Sequence, residues 1–150
     1  MPKRNELTEE QRQAWRVYIE GSLRLETRLD EALRASTGLS MIDYHVLLLL
    51  SEAPGQRLRM REIAAKMVFS RSRITYQITS MRKRGLVARE PAPDDGRGSR
   101  AVLTAVGLQA LRDAAPPHAQ AARDLFLDDL DAEELRCIRR VFTRLSARLY

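Results

Sequence analysis

The hydrophobic pattern of this 150-residue chain changes at Gly85. Before Gly85, apolar residues recur every three or four positions, which is the spacing of amphipathic helices. After it, two short strand-like runs, 86–90 and 100–103, flank the segment 91–99, which is rich in Pro, Asp and Gly. The pattern predicts several helices followed by a β-hairpin with a long, basic tip.

Helix-start signals divide the first part of the chain. A long amphipathic helix is predicted over 8–35. Ser40 and Asp43 have the spacing of a capping box at the start of a short helix, 40–53. A second short helix is predicted over 60–67, and Ser70 is placed to cap a third that ends at Gly85.

The C-terminal part is predicted to be helical again. Thr104 is placed to cap a long helix that runs toward Leu130, bent or interrupted at Pro116-Pro117, because proline removes an amide and clashes with the preceding turn. Asp131 begins a box-type start for a last amphipathic helix that ends at Tyr150.

Three helices followed by a hairpin form the winged helix-turn-helix arrangement. The predicted fold is therefore mainly α with a small β-hairpin wing. We expect an N-terminal dimerisation helix at 1–35, a winged helix-turn-helix domain at 36–104 and C-terminal dimerisation helices at 105–150. The apolar stripes of the long flanking helices exceed what one small domain can cover, which predicts a homodimer.

Positive charge is concentrated in the middle of the chain. The segment 57–100 contains twelve Lys or Arg and four Asp or Glu residues, a net charge of +8, whereas the remainder carries a net −2. A basic centre between near-neutral ends is typical of a protein that binds a polyanion, so double-stranded DNA is the leading partner.

The helix that begins after Ser70 is the candidate recognition helix. At about 100° per residue, Ile74, Ile78 and Met81 define its buried face, and the opposite face is free to enter a major groove. Arg73 and Gln77 are expected to reach base edges. The full set of DNA-binding candidates outside the wing tip is Ser70, Arg71, Ser72, Arg73, Thr75, Tyr76, Gln77, Ser80, Lys83, Arg84 and Arg100. Arg59, Arg61, Arg84 and Arg100 are either phosphate contacts or residues that only favour solubility.

The tip of the predicted wing carries two further candidates. Arg97 is flanked by glycines and is expected to enter a minor groove, with Asp95 holding its guanidinium. The alternative is an ordinary surface ion pair in a turn.

Four segments resemble parts of the MarR-type transcriptional regulators: SRSRIT at 70–75, MRKRGLV at 81–87, DGR at 95–97 and LTAVG at 103–107. The resemblance implies a homodimeric regulator, most often a repressor, on a pseudo-palindromic operator. It also implies a small aromatic or phenolic effector that binds between the dimer and DNA-binding regions. Tyr76 and Gln77 stand where many members carry Arg and an apolar residue, so no base preference is transferred.

Trp15, Tyr18, Tyr44 and His45 are the candidates for an effector pocket, although the pattern favours His45, Trp15 and Tyr18 as partly buried packing residues. The chain offers no catalytic constellation, so a non-enzyme without metal or cofactor is expected. Two alternatives remain open: a winged-helix module that binds an acidic protein, and a redox-sensing regulator based on Cys137, which lies among arginines.

The chain has one cysteine and no apolar run near the length of a membrane span, which favours a cytoplasmic protein without a membrane partner.

Overall fold

A computed structural model of the chain describes residues 6–93 and 98–149. The residue contacts divide the chain into two compact units. One unit combines Met1–Thr27 with Ala119–Tyr150, and the other is Arg28–His118. The boundaries between the units fall inside two long helices.

The described residues form six α-helices and three β-strands. The helices are α1 (Glu9–Thr37), α2 (Met41–Glu52), α3 (Met60–Met67), α4 (Arg71–Lys83), α5 (Ala105–Leu125) and α6 (Ala132–Leu149); the strands are β1 (Arg57–Arg59), β2 (Val87–Pro91) and β3 (Ser99–Leu103). Single-turn 3-10 helices occur at Pro54–Gln56 and Leu127–Asp129. The predicted mainly α fold with a small β wing is confirmed.

The hydrophobic core of the described residues lies in the Arg28–His118 unit. Leu47 and Leu50 of α2 and Ile63 of α3 are completely buried there. Ile74 and its neighbours one and two turns later, Ile78 and Met81, are also buried, which confirms the predicted inner face of α4. Burial of each large side chain contributes about 1.5–3 kcal/mol, so this face holds α4 firmly against the core.

Side chains cap the starts of several helices, at the residues that the sequence predicted. Ser40 Oγ accepts a hydrogen bond from the Asp43 amide at 3.0 Å, and the Asp43 carboxylate accepts one from the Ser40 amide at 2.9 Å. Thr104 caps α5, and Asp131 caps α6 by accepting from the Glu134 amide at 2.8 Å. Each cap satisfies amides that the helix itself leaves unpaired.

The sheet has three antiparallel strands in the order β1-β3-β2. In it, Leu58 pairs with Ala101, and Ala88 pairs with Val102. The predicted two-stranded hairpin is present, but the prediction was incomplete because it lacked β1. A three-residue strand is too short to show a hydrophobic alternation, and its partner lies more than 40 residues later.

Helix α5 continues through Pro116 and Pro117, so of the predicted bend or interruption the interruption was wrong, and the helix ends at Leu125 rather than near Leu130. The prolines remove the amides that would pair with the carbonyls of Arg112 and Asp113. Both of these residues are exposed, so water can satisfy their carbonyls and the helix tolerates the loss.

The unit formed by Met1–Thr27 and Ala119–Tyr150 has no fully buried residue among those that the structure describes. Trp15 is 58% exposed, and Phe142, whose ring centroid lies 5.9 Å from that of Tyr18, is 39% exposed. Leu135 and Leu145, on the apolar face predicted for the last helix, are likewise exposed. This unit therefore presents large apolar side chains without a core of its own.

Candidate nucleic-acid interface

The N-terminus of α4 lies at the protein surface. Ser70 Oγ accepts a hydrogen bond from the Arg73 amide at 3.2 Å, and the hydroxyls of Ser70 and Ser72 lie 3.1 Å apart. A helix N-terminus combines free amides with a partial positive charge, which attracts anions such as phosphate. The predicted cap is confirmed, and it leaves this end of the helix exposed.

Most of the candidates on α4 are solvent-exposed. The exposed residues are Ser70, Arg71, Ser72, Arg73, Thr75, Tyr76, Lys83 and Arg84, whereas Gln77 and Ser80 are half-buried. Tyr76 is the most prominent apolar side chain of the group, at 78% exposure. The helix thus has one face in the core and a polar, cationic face toward solvent.

The side chain of Arg73 stacks on an aromatic ring. Its Cζ lies 3.7 Å from the centroid of the Phe69 ring, in the turn before α4. Phe69 in turn packs against the core. This stacking restricts the guanidinium of Arg73 to one region of the exposed face.

Gln77 and Arg84 both contact the carboxylate of Asp43, a partner that the sequence pattern did not reveal. Gln77 Nε2 donates to Asp43 Oδ1 at 2.5 Å, and the two terminal nitrogens of Arg84 donate to Oδ2 and Oδ1 at 2.9 and 2.7 Å. Burial alone would raise the pKa of Asp43, but the hydrogen bonds from Arg84 and from the Ser40 amide, with the charge of Arg84, hold that pKa below its ordinary value. The same pair raises the pKa of Arg84.

A basic cleft of about 330 Å³ opens between α3, α4 and the base of the wing. Thr75 and Ser99 line it with their hydroxyl groups. The cleft is also lined by four arginines: Arg59, Arg61, Arg71 and Arg89. Arg89 Nε donates to Ser99 Oγ at 2.9 Å. Arg89 was not among the predicted DNA-binding residues; its position in β2, shortly before the turn-rich segment, was the available signal.

Arg100, a predicted DNA contact, lies in a small ion-pair cluster on the sheet. It donates to Glu90 Oε1, which also pairs with Arg57 at 3.1 Å. One carboxylate therefore balances one of two positive charges, and the cluster keeps a net positive charge. The other two wing candidates, Asp95 and Arg97, lie outside the described residues.

The four candidates for an effector pocket belong to different units, two to each. Trp15 and Tyr18 line an open, largely apolar depression of about 490 Å³ with Leu7, Gln11 and Ala14. Tyr44 is buried, and its ring centroid lies 4.6 Å from that of His118. His45 is exposed, so its interpretation as a partly buried packing residue was wrong.

Cys137 is exposed on α6, with its Sγ 3.9 Å from a terminal nitrogen of Arg140. Within residues 6–93 and 98–149, no group of three His, Cys, Asp or Glu residues is arranged to hold a metal ion. Over the same ranges, no helix is long and apolar enough to cross a membrane.

Comparison with known proteins identifies relatives over almost the whole chain. The sequence model of the MarR family matches residues 37–98. Sco3205, a MarR family transcriptional regulator from Streptomyces coelicolor crystallised in complex with DNA, is 36% identical; the match covers 97% of this chain and 94% of that one, with a TM-score of 0.90. AbsC, another MarR family regulator from Streptomyces coelicolor, is 37% identical over 97% of both chains, with a TM-score of 0.88.

A more distant solved structure, a mutant MarR from E. coli complexed with operator DNA, is similar in fold. It is 19% identical and has a TM-score of 0.79, and the match covers 94% of this chain and 99% of that one. No curated protein sequence matches the chain. Because two regulators of this family share more than a third of their residues with the chain over nearly its full length, the chain belongs to the MarR family of transcriptional regulators.

Proposed function

We propose that this protein is a homodimeric, sequence-specific double-stranded DNA-binding regulator that acts as a repressor. The observation that carries the proposal is the continuous cationic surface formed by the exposed face of α4 and the adjoining four-arginine cleft. A helix with one face in the core and an exposed cationic face fits a major groove, and arginines beside it fit the phosphate backbone.

Within this surface, the residues divide into two roles. Arg73 and Tyr76 project from the exposed face of α4 and are assigned to base edges, because only groove edges carry sequence information. Ser70, Arg71 and Ser72, at the N-terminus of α4, are assigned to phosphates. Lys83 and the arginines of the cleft extend the phosphate contacts, and Arg97 with Asp95 is assigned to a flanking minor groove by resemblance to the family.

The homodimer is supported by the unit made from the two ends of the chain. Its apolar side chains, including Trp15, Tyr18 and Phe142, remain exposed in the single chain. A two-fold interface buries such a surface economically, because the same residues serve both subunits. Two recognition helices then lie about one helical turn of DNA apart, ~34–36 Å, on a pseudo-palindromic site. The dimerisation regions 1–35 and 105–150 and the DNA-binding domain 36–104 belong to this proposal.

The proposal includes regulation by a small aromatic or phenolic effector. The apolar depression beside Trp15 and Tyr18 offers aromatic surface for it, whereas Tyr44 is buried against the tilted ring of His118. Such a molecule acts only if its affinity differs between the conformations of the dimer that bind DNA and those that do not.

The test is selection of bound duplexes from a random pool, followed by affinity measurements on the selected sequence. Arg73→Ala is expected to cost about 1–3 kcal/mol and to relax base preference at one position of each half-site. Arg24→Ala, an exposed arginine in the middle of α1, is the matched control and should bind as the parent does. The Sco3205 complex with DNA supports the choice of duplex DNA as the probe.

One result would contradict the proposed DNA recognition, and a second would replace the small effector with a redox signal. Equal affinity for selected and scrambled duplexes favours a winged-helix module that binds an acidic protein instead. Loss of DNA binding in peroxide for the parent, with no loss for Cys137→Ser, favours the redox-sensing alternative.

The dimer has a separate test by sedimentation. Phe142→Arg places a charge on the exposed apolar face of α6 and is expected to shift the protein toward monomer. Arg139→Ala, at an exposed α6 position, is the control. An unchanged sedimentation coefficient for Phe142→Arg would contradict the assigned interface.

A further inference from the structure

We propose that Asp43 is a positioning residue that sets the orientation of the recognition helix α4, and that Gln77 acts through Asp43 rather than by reading a base. This inference rests on the proposed function and reverses the role expected for Gln77 from the sequence. We refer to Asp43, Gln77 and Arg84 together as the Asp43 clamp.

The carboxylate of Asp43 is buried, and each of its two oxygens accepts two hydrogen bonds. The residue is only 3% exposed. Its Oδ1 accepts from Gln77 at 2.5 Å and from Arg84 at 2.7 Å, and its Oδ2 accepts from Arg84 at 2.9 Å and from the Ser40 amide at 2.9 Å. A buried carboxylate is tolerated only when its lone pairs are satisfied, so the clamp strongly favours the one orientation of α4 that supplies these donors.

The clamp grips α4 at two separated points. Gln77 and Arg84 are seven residues apart, which places them two helical turns apart on the same side of the helix. A single contact permits rotation of the helix about that point, whereas two contacts to one carboxylate restrict both rotation and sliding. Arg84 also lies at the C-terminal cap of α4, so the clamp extends to the end of the helix.

The other side of the clamp is anchored in the scaffold. Asp43 belongs to the capping box at the start of α2, where its amide donates to Ser40 Oγ at 3.0 Å. The first amide of α2, from Met41, donates to Asp30 Oδ1 of α1 at 2.8 Å. These hydrogen bonds fix the orientation of α4 relative to the α1–α2 junction, and the packing of α4 on α3 fixes it further.

The clamp leaves Gln77 poorly equipped to read a base. Bidentate recognition of adenine needs both the carbonyl and an N–H of the amide, in one plane and directed into the groove. In this structure Gln77 is half-buried, and one N–H of its amide donates to the buried carboxylate of Asp43, which fixes the position of the amide. The guanidinium of Arg73 is held on the exposed face by stacking on Phe69, a contact that uses the face of the guanidinium and not its N–H groups.

The test is a double-mutant cycle on the full-length protein with a selected operator and each single-base variant of it. Gln77→Ala and Asp43→Asn are each expected to lower affinity for all of these duplexes by a similar factor, about tenfold. In the Asp43→Asn background, Gln77→Ala should cost little more. Arg73→Ala, measured in parallel, should change the ranking of the duplexes.

A second readout addresses orientation directly. Hydrogen exchange of the α4 amides, without DNA, should accelerate in Gln77→Ala and not accelerate further in the double variant. Lys83→Ala, which removes an exposed side chain near the end of the same helix, is the control and should leave exchange unchanged. If Asp43→Asn does not fold, the base-preference profile and exchange of Gln77→Ala still decide the inference, since that side chain is only half-buried.

The inference is overturned if Gln77→Ala alone relaxes preference at one base pair, if the two substitutions have independent, multiplying effects on affinity, or if α4 exchange is unchanged in Gln77→Ala. A parent protein that shows no sequence preference contradicts the proposed function instead, and the exchange measurement then shows separately whether the clamp holds α4.

Discussion

The guanidinium of Arg73 lies over the ring of Phe69, with 3.7 Å between Cζ and the ring centroid. The stack holds a cationic side chain in place on the exposed face of α4, the proposed recognition helix, in the absence of DNA. Preorganisation of this kind reduces the conformational entropy lost on binding.

Phe69→Leu is expected to weaken operator binding by roughly two- to fivefold, because it removes the cation–π contact while keeping an apolar side chain against the core. Phe69→Tyr retains the ring face and is expected to bind like the parent. Fluorescence anisotropy with the selected operator measures both. Equal affinities for the Leu and Tyr variants would show that the stack does not contribute.

The elements that the sequence predicted correctly depend on local signals. Ser40 with Asp43, Ser70 and Asp131 satisfy amides within three residues of themselves, so the spacing alone reveals the helix starts. Strand β1 has no such local signal, because its hydrogen-bonding partner is β3. Helix α5 continues through its two prolines because the residues whose carbonyls lose their partners are exposed to water. The sequence alone does not reveal that exposure.

Gly107, in the first turn of α5, approaches the backbone of Leu86. A Cβ added at Gly107 would lie 2.0 Å from the Leu86 carbonyl oxygen, and backbone cannot move aside as a flexible side chain can. Gly107→Ala is therefore expected to lower the free energy of unfolding by about 1–3 kcal/mol or more.

Gly21, in α1, is the matched control for this substitution. A Cβ there meets nothing within 4 Å, so Gly21→Ala should raise stability by about 0.5–1 kcal/mol through helix propensity. Urea denaturation measures both variants. Similar effects of the two substitutions would contradict the close approach at Gly107.

Val68, in the turn between α3 and α4, has a left-handed backbone with a φ of 55° and a side chain that is 83% exposed. A β-branched residue is strained in this region, whereas glycine adopts it freely. Val68→Gly is expected to raise the free energy of unfolding by about 0.5–1 kcal/mol, measured by urea denaturation. Val68→Ile, which keeps the branch, should leave stability nearly unchanged; a lower stability for the Gly variant would contradict the strain.

The ion pair of Asp43 and Arg84 predicts a specific dependence of stability on pH. The folded-state pKa of Asp43 lies below the ordinary value of 3.8. The ionised carboxylate therefore stabilises the fold above pH 3.8, and this stabilisation is lost as the pH falls through the folded-state pKa. Asp43→Asn should lower the free energy of unfolding by about 2 kcal/mol near neutral pH, because Arg84 loses a charged acceptor.

The difference between parent and Asp43→Asn should shrink as the pH is lowered below the ordinary carboxyl value, since protonation then removes the charge in the parent as well. Urea denaturation at a series of pH values measures it. A constant difference from neutral pH into the acid range would mean that the charge of Asp43 does not stabilise the fold.

Only part of the candidate site could be predicted from the sequence. Helical spacing predicted the exposed face of α4, and the excess of arginines around it favoured a polyanionic partner. The contact of Gln77 with Asp43 joins residues 34 positions apart, so no local pattern reveals it. Arg89 precedes the turn-rich segment in the sequence, but its place in the same cleft as Arg71 arises only when the strand and helix pack together.

Affinity for the selected operator and for a scrambled duplex of equal length, measured over a series of KCl concentrations, tests the central claim most directly. The cationic surface of α4 and the four-arginine cleft predict a linear fall of log affinity with log salt, with a slope of about −0.9 per phosphate contact. They also predict a preference of about 10³ or more for the operator. Equal affinity for both duplexes, or affinity that does not respond to salt, would contradict the claim that this surface reads DNA.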